Sequence, residues 1–276
     1  MPYLKRAGKP TLFYAVDDFT NPWEKRPTIV LQHGYGRSGV FWYPWVPILA
    51  PHFRVVRPDW RGFGRSLLDF DPATQLGVDD LLDDLLAVIA EVGGGPVHYC
   101  GESLGGTLGM LLAARHPEQV SSITAISSPS AVPEATRDAL RFGHASWSDA
   151  LRAMGTRAWV AAANGSTRFP TGTDPRLIEW YTDEMGKTDV DVMIAMGLAA
   201  HEINARPWLS RIQAPVLGLY PSDGTITGPD EEYLRTSVPG IRFVRMPTRF
   251  HSIQFLMAKE CAQEVLQFAM DARSPG

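Results

Sequence analysis

The stretch Val97 to Met110, V-H-Y-C-G-E-S-L-G-G-T-L-G-M, constrains this chain more than any other. An apolar run to Cys100 meets Gly101, then Ser103, then Gly105 and Gly106, and helix-compatible residues continue to Arg115. That order predicts a strand, a sharp turn with a serine at its apex, and a helix. The spacing Gly101-x-Ser103-x-Gly105 has a steric reason. A serine held in a strained backbone leaves no room for a Cβ two residues to either side. The helix that follows aims unpaired N–H groups and the positive end of its dipole at the serine, where negative charge is favoured.

The rest of the chain reads as strands alternating with helices. Strands are expected at Thr11–Val16, Thr28–Leu31, Phe53–Arg57, Val97–Cys100, Val120–Ser127, Pro215–Tyr220 and Ile241–Met246. Ser38 can cap a helix through Leu49, which Pro44 and Pro47 would break. Val78 to Val92 carries Leu81, Leu82, Leu85, Leu86 and Ile89 at helical spacing, and its aspartates (Asp79, Asp80, Asp83, Asp84) read as a solvated face near the positive end of the dipole. Further helices are expected over Asp230–Ser237 and Ala258–Ala272. This alternation implies an α/β fold, a parallel sheet covered on both faces. Residues 130–207 differ in texture, with helical segments, Trp147, Trp159 and Trp180, and no clear strand. They read as a helical lid inserted into a core made of 1–129 and 208–276, over the strand ends where such sheets bind ligands.

Composition narrows the function classes. With 276 residues, 45% of them hydrophobic, the chain can bury a large core, and its net charge of −4 with scattered basic residues speaks against nucleic acid or an anionic membrane as partner. The N-terminus has no signal-peptide pattern and no apolar run reaches membrane-spanning length, so the expectation is a soluble cytoplasmic protein. Cys100 and Cys261 read as buried free thiols, and no Cys/His cluster has metal-ligand spacing. A small-molecule substrate, no metal, and a monomer or homodimer are expected.

A serine hydroxyl becomes a strong nucleophile only when a base takes its proton and a third group orients that base. Downstream of Ser103, His251 lies in the loop P-T-R-F-H-S after the last strand, placed to reach back across the sheet edge; His116, His144 and His201 fall in helical or lid segments. Asp223 is the first carboxylate in the loop after Pro215–Tyr220, with Asp230 behind it. Backbone N–H groups of Leu104 and of Tyr35, in His33-Gly34-Tyr35-Gly36, are placed to form an oxyanion hole.

Together, His33-Gly34-Tyr35-Gly36, Asp59-Trp60-Arg61-Gly62-Phe63-Gly64-Arg65-Ser66, Gly101-Glu102-Ser103-Leu104-Gly105-Gly106 and the late His251 resemble the α/β-hydrolase superfamily. Within it, the chain is similar to esterases, 3-oxoadipate enol-lactonases and carbon–carbon bond hydrolases of aromatic catabolism. The resemblance implies an eight-stranded, mostly parallel sheet with helices on both faces, a Ser103-His251-Asp223 triad and no cofactor. The chain departs from the family twice. Members usually have glycine at the end of the seventh strand and the acid three residues later, a register that here runs from Pro221 to Gly224, with Asp223 one position early. The other acid position, at the end of the sixth strand, corresponds to Ser127. Phe250 stands before His251, where glycine is common.

The expected chemistry is acyl transfer to water from a small ester, lactone or related substrate. Tyr35, Trp159, Phe169, Trp180 and Phe250 are candidates to line an apolar or aromatic pocket; Arg168 and Arg206 read first as solvated surface charges, with recognition of a substrate carboxylate as the alternative. Carbon–carbon hydrolysis, cofactor-free lyase or dioxygenase chemistry, and a small-molecule receptor with little turnover are the alternatives on the same fold.

Overall fold

The computed structural model describes residues 3–132, 139–223 and 228–272, with backbone alone at 165–167 and 228–229. In chain order come β1 (Tyr3–Leu4), β2 (Leu12–Asp17), β3 (Thr28–Gln32), a 3₁₀ turn over Gly39–Trp45 leading into α1 (Val46–Leu49), β4 (Arg54–Pro58), α2 (Val78–Glu91), β5 (Val97–Glu102), α3 (Leu104–Arg115) and β6 (Val120–Ile126). Then follow α4 (Trp147–Met154), α5 (Thr156–Arg168), α6 (Pro175–Gly186), α7 (Val190–Glu202), β7 (Val216–Pro221), α8 (Gly228–Ser237), β8 (Arg242–Met246), α9 (Ile253–Leu256) and α10 (Ala258–Asp271). The strands form one eight-stranded sheet in the order β1-β2-β4-β3-β5-β6-β7-β8. β1–β2 and β2–β4 pair antiparallel and the remaining pairs are parallel. The sheet and its helices match the expected α/β-hydrolase architecture. The two-residue β1 was not expected; a strand that short carries no readable alternation.

Strand alternation divides the core in two. Along β3, Ile29 and Leu31 face one side and Val30 the other; along β4, Val55 and Val56 divide likewise. One face packs Val30, Val56 and Tyr99 against Leu81, Leu85 and Ile89 of α2 and Leu108 and Leu112 of α3. The other packs Ile29, Leu31, Val55 and Cys100 against Trp42, Trp45 and the α10 residues Cys261, Val265 and Phe268. Both cysteines are buried and free, and burial raises both thiol pKa values, so neither is primed to react.

The acidic face of α2 is only partly solvated. Asp79 is exposed and meets Arg115 at 2.8 Å, but Asp84 is buried. Arg61, also buried, donates its Nε and Nη2 to Asp84 at 2.7 and 2.8 Å, and Arg6 adds a second cation. A buried carboxylate is tolerated because it is paired. Periodicity places Asp84 on the helix surface but does not reveal the arginines that cover it.

Between β6 and β7, which are hydrogen-bonded neighbours, the chain leaves the sheet to form α4–α7. Its two ends are tied to each other: Ala131 bridges Asn204, and the Ala205 amide donates to Ser130 O at 2.8 Å. Among the described residues no helix is long and apolar enough to cross a membrane.

Candidate active site

Ser103 stands between β5 and α3 with φ 54° and ψ −122°, a left-handed conformation that costs a residue with a Cβ roughly 1–3 kcal/mol. Its own amide donates to Ile126 O at 2.8 Å, and its carbonyl accepts from Gly106 at 3.0 Å and Thr107 at 3.1 Å, so the turn is held from both sides. The flanking glycines are required by space. A Cβ on Gly101 would lie 2.5 Å from the Gly105 carbonyl, and one on Gly105 would lie 2.6 Å from His33 O. The half-buried Ser103 has no hydrogen-bond partner for its hydroxyl among the described residues.

The His33–Gly36 loop runs past this turn. Its anchor is His33, buried and neutral, with burial lowering its pKa to about 4. The ring accepts from the Trp60 amide at 3.2 Å through Nε2 and contacts Gly34 O at 2.9 Å through Nδ1. Tyr35 donates its hydroxyl to Met193 O at 2.8 Å, which ties the loop to α7. Asp59 continues the frame, accepting from the Gly39 amide at 2.6 Å and the Arg65 amide at 2.8 Å.

Burial pushes Asp59 up to about 6, against the pull of those two amides. A carboxyl whose folded pKa lies above its unfolded value holds its proton more tightly when folded. Its stabilising contribution is full near pH 4 and is lost as pH rises through about 6. Urea unfolding is therefore expected to show wild type losing about 2–3 kcal/mol between pH 4 and pH 7 relative to Asp59→Asn. Parallel pH curves for the two proteins would count against a buried titrating Asp59.

The buried carboxylate of the site is Glu102, the residue before Ser103. Its Oε1 and Oε2 accept from Arg37 Nη1 at 3.0 and 2.8 Å, and Oε2 also accepts from the Gly34 amide at 3.1 Å. His251 Nε2 lies 3.4 Å from Oε1. Burial opposes the charge, but Arg37 foremost and then His251 hold Glu102 down to about 2. Arg37 spends its other donors on Tyr181 Oη at 2.6 Å and Ser252 Oγ at 3.3 Å. Sequence reasoning passed over Glu102 and Arg37. The available signal was a charged residue inside an otherwise uncharged strand end, which demands a buried partner.

His251 is held below its ordinary pKa, first by burial and then by the cations Arg168 and Arg37, with Glu102 opposing. It is neutral at pH 7, the form that accepts a proton. Its Nδ1 is buried without a hydrogen-bond partner among the described residues. Asp223 is exposed in the turn after β7, its amide donating to Thr248 O at 3.4 Å, and the structure does not bring its carboxylate into hydrogen bond with His251. Asp230 is committed elsewhere, accepting from the Ser130 amide at 2.7 Å, from the Ser130 hydroxyl and from Arg206 at 3.0 Å. Arg206 is thereby a structural pair at the foot of the α4–α7 segment. Ser127, at the end of β6, offers only a buried hydroxyl without a partner among the described residues.

The expected pocket aromatics fall into separate groups. Tyr35 meets Trp159 edge-on at 6.4 Å, and Trp159 donates Nε1 to Leu140 O at 3.2 Å. Phe169 packs edge-on against Tyr181 at 5.0 Å, while Trp180 stacks on Phe255 at 5.8 Å and leans on Phe41. Tyr181 joins these rings to Arg37 and to Ser252, the neighbour of His251. Phe250 is buried under the Arg249 guanidinium. A cavity of about 640 Å³ opens between the 71–77 loop and α7, and none of the site residues expected from sequence lines it. Among the described residues no group of three or more His, Cys, Asp or Glu side chains is arranged to hold a metal ion.

A family model described as alpha/beta hydrolase fold matches residues 27–191. The chain belongs to the alpha/beta hydrolase fold family. Proteins of Agrobacterium fabrum and Yersinia enterocolitica named as the carbamate hydrolase RutD are 34% identical over 101 residues and 35% over 135 residues. These matches cover 37% and 49% of this chain and 38% and 46% of the relatives' own lengths. Among solved structures, the enol-lactonase from Burkholderia xenovorans superposes with a TM-score of 0.85 at 24% identity, covering 98% of this chain and all of that one. A carboxylesterase of Nitrososphaera gargenis gives 0.84 at 20% identity, covering 98% of both chains. At those identities the superpositions speak for the fold.

Proposed function

We propose that this alpha/beta hydrolase cleaves a carboxylic ester, lactone or related acyl bond through Ser103. The observation that carries the reading is the left-handed Ser103 at the head of α3, its hydroxyl uncommitted, beside a site that holds His251 neutral. Ser103 Oγ attacks the acyl carbon as His251 takes the hydroxyl proton. The developing oxyanion is met by the Tyr35 and Leu104 amides and by the N-terminal end of α3. Collapse expels the leaving group, which receives the proton from His251, and water then repeats the sequence on the acyl-enzyme. Glu102 is the carboxylate that faces His251 and acts as its positioning residue; Asp223 is the alternative.

The helices between β6 and β7 act as the lid, with Tyr35, Trp159, Phe169, Trp180 and Phe250 as the apolar lining. The names of the relatives and structural neighbours (carbamate hydrolase, enol-lactonase, carboxylesterase) all describe hydrolysis of acyl bonds and support the class. Fluorophosphonate labelling with intact mass and peptide mapping tests the proposal. One adduct on Ser103 in wild type, lost in His251→Ala, is expected. A folded wild-type protein that takes no adduct would overturn it and direct attention to lyase, oxygenase or receptor roles.

A further inference from the structure

Tyr181 reaches from α6, in the segment between β6 and β7, to the ion pair that faces His251. Its ring is fully buried, edge-on to Phe41 at 4.8 Å, Phe169 at 5.0 Å and Phe255 at 5.5 Å. Its hydroxyl accepts from Arg37 Nε at 2.6 Å and stands 3.3 Å from Ser252 Oγ. Arg37 Nη2 donates to that same serine oxygen at 3.3 Å, so guanidinium, phenol and serine hydroxyl close a ring of hydrogen bonds. The remaining nitrogen, Nη1, donates to both Glu102 oxygens. Ser252 directly follows His251, and its carbonyl accepts from the Phe255 and Leu256 amides at 3.0 Å, so a bond to its hydroxyl fixes the turn that carries the imidazole. The rings alone would hold a phenylalanine at position 181. What the hydroxyl adds is an acceptor for a buried charged donor, which is costly to leave unpaired.

We propose that Tyr181 is a positioning residue carried by the lid: its hydroxyl fastens Arg37 to the His251–Ser252 turn, so that Glu102 and His251 hold their working geometry only while α6 is seated on the core. Lifting α6 strands the Arg37 Nε donor and frees the His251 turn, which couples turnover to lid closure. The proposal rests on the serine-hydrolase reading for turnover, but the link between Tyr181 and His251 does not.

The first test needs no turnover. Nitrogen NMR titration of isotope-labelled histidine follows the His251 ring, its signal identified by its loss in His251→Ala. His251 feels Glu102 from the end of β5, Arg37 from the loop after β3 and Arg168 from the end of α5, and of these Glu102 favours the protonated ring. A Glu102 less firmly set against Nε2 lets the His251 pKa fall, so Tyr181→Phe should titrate lower by about half a pH unit or more. Ser252→Ala, which breaks the same ring from the other side, should shift it likewise and carries the test if Tyr181→Phe does not fold. The second test is kinetic. Tyr181→Phe should slow fluorophosphonate labelling of Ser103, and lower kcat on p-nitrophenyl acetate, about ten-fold or more with KM near wild type. Tyr181→Phe combined with Ser252→Ala should lose little more than either alone, because both act through one ring. An unmoved His251 titration, additive losses, or a Tyr181→Phe protein whose only change is a lower melting temperature would overturn the proposal. A wild type that takes no label refutes Ser103 as nucleophile instead, and the titration still decides for Tyr181.

Discussion

Ser103→Ala is expected to lower kcat by about 10⁴-fold or more on any ester the enzyme turns over, with KM little changed. The size follows from the division of labour. Without the hydroxyl there is no acyl-enzyme, and only the Tyr35 and Leu104 amides and substrate positioning remain. The same position supplies a second, independent readout. Ser103 sits at φ 54°, where a Cβ is strained and glycine is not. Ser103→Ala keeps the Cβ and should unfold near the wild-type temperature. Ser103→Gly should be equally inactive yet gain about 1 kcal/mol, the strain released less the entropy glycine gives up on folding. Inactive, stabilised Ser103→Gly beside inactive, unchanged Ser103→Ala would identify a turn strained for chemistry. Retained turnover in both would remove Ser103 from the mechanism.

The parts of this protein that were legible in its sequence are those encoded by short-range pattern. β3, β4 and β5 announce themselves by apolar runs that end in glycine-rich turns, and the elbow by glycines that leave no room for a Cβ. The rupture of the 38–49 helix follows from Pro44 and appears as the 3₁₀ turn before α1. What sequence did not carry is pairing over distance. Asp84 has the spacing of a solvated helix residue, yet Arg61 and Arg6 reach it from other segments. Glu102 occupies a position the elbow pattern leaves unspecified, and its partners come from two places: the loop that carries Gly34 and Arg37, and the loop after β8. Asp223 stands at nearly the expected point in chain order, but position after a strand does not dictate where a side chain turns. The aromatic residues show the same limit. Trp180 was visible, whereas the Tyr181–Phe255–Phe41 contacts that connect it to Arg37 arise only when α6, α9 and the 3₁₀ turn meet.

Glu102→Gln is expected to produce the largest loss of stability of any single change in the site, about 3–5 kcal/mol, because it leaves Arg37 charged, buried and without its counter-ion. The pH dependence has a definite sign. Glu102 is depressed to about 2 in the folded protein, below its unfolded value, so its contribution is full above about pH 4.5 and is lost as pH falls toward 2. Urea unfolding of wild type should therefore lose stability across that acid range, and Glu102→Gln should lose less. Arg37→Gln in the Glu102→Gln background should recover part of the loss, since it removes the stranded charge. Catalysis separates a positioning role from a merely structural one. Glu102 favours the protonated form of His251, so removing its charge lowers the His251 pKa further. The acidic limb of kcat/KM, which reports the base that must be neutral, should shift to lower pH in Glu102→Gln while kcat falls. Asp223→Asn, at an exposed carboxylate with no bond to His251, should leave both the limb and kcat near wild type. The reverse pattern, an unmoved limb in Glu102→Gln and a loss of about 10⁴-fold in Asp223→Asn, would assign His251 to Asp223 and reduce Glu102 to the ion pair that holds Arg37.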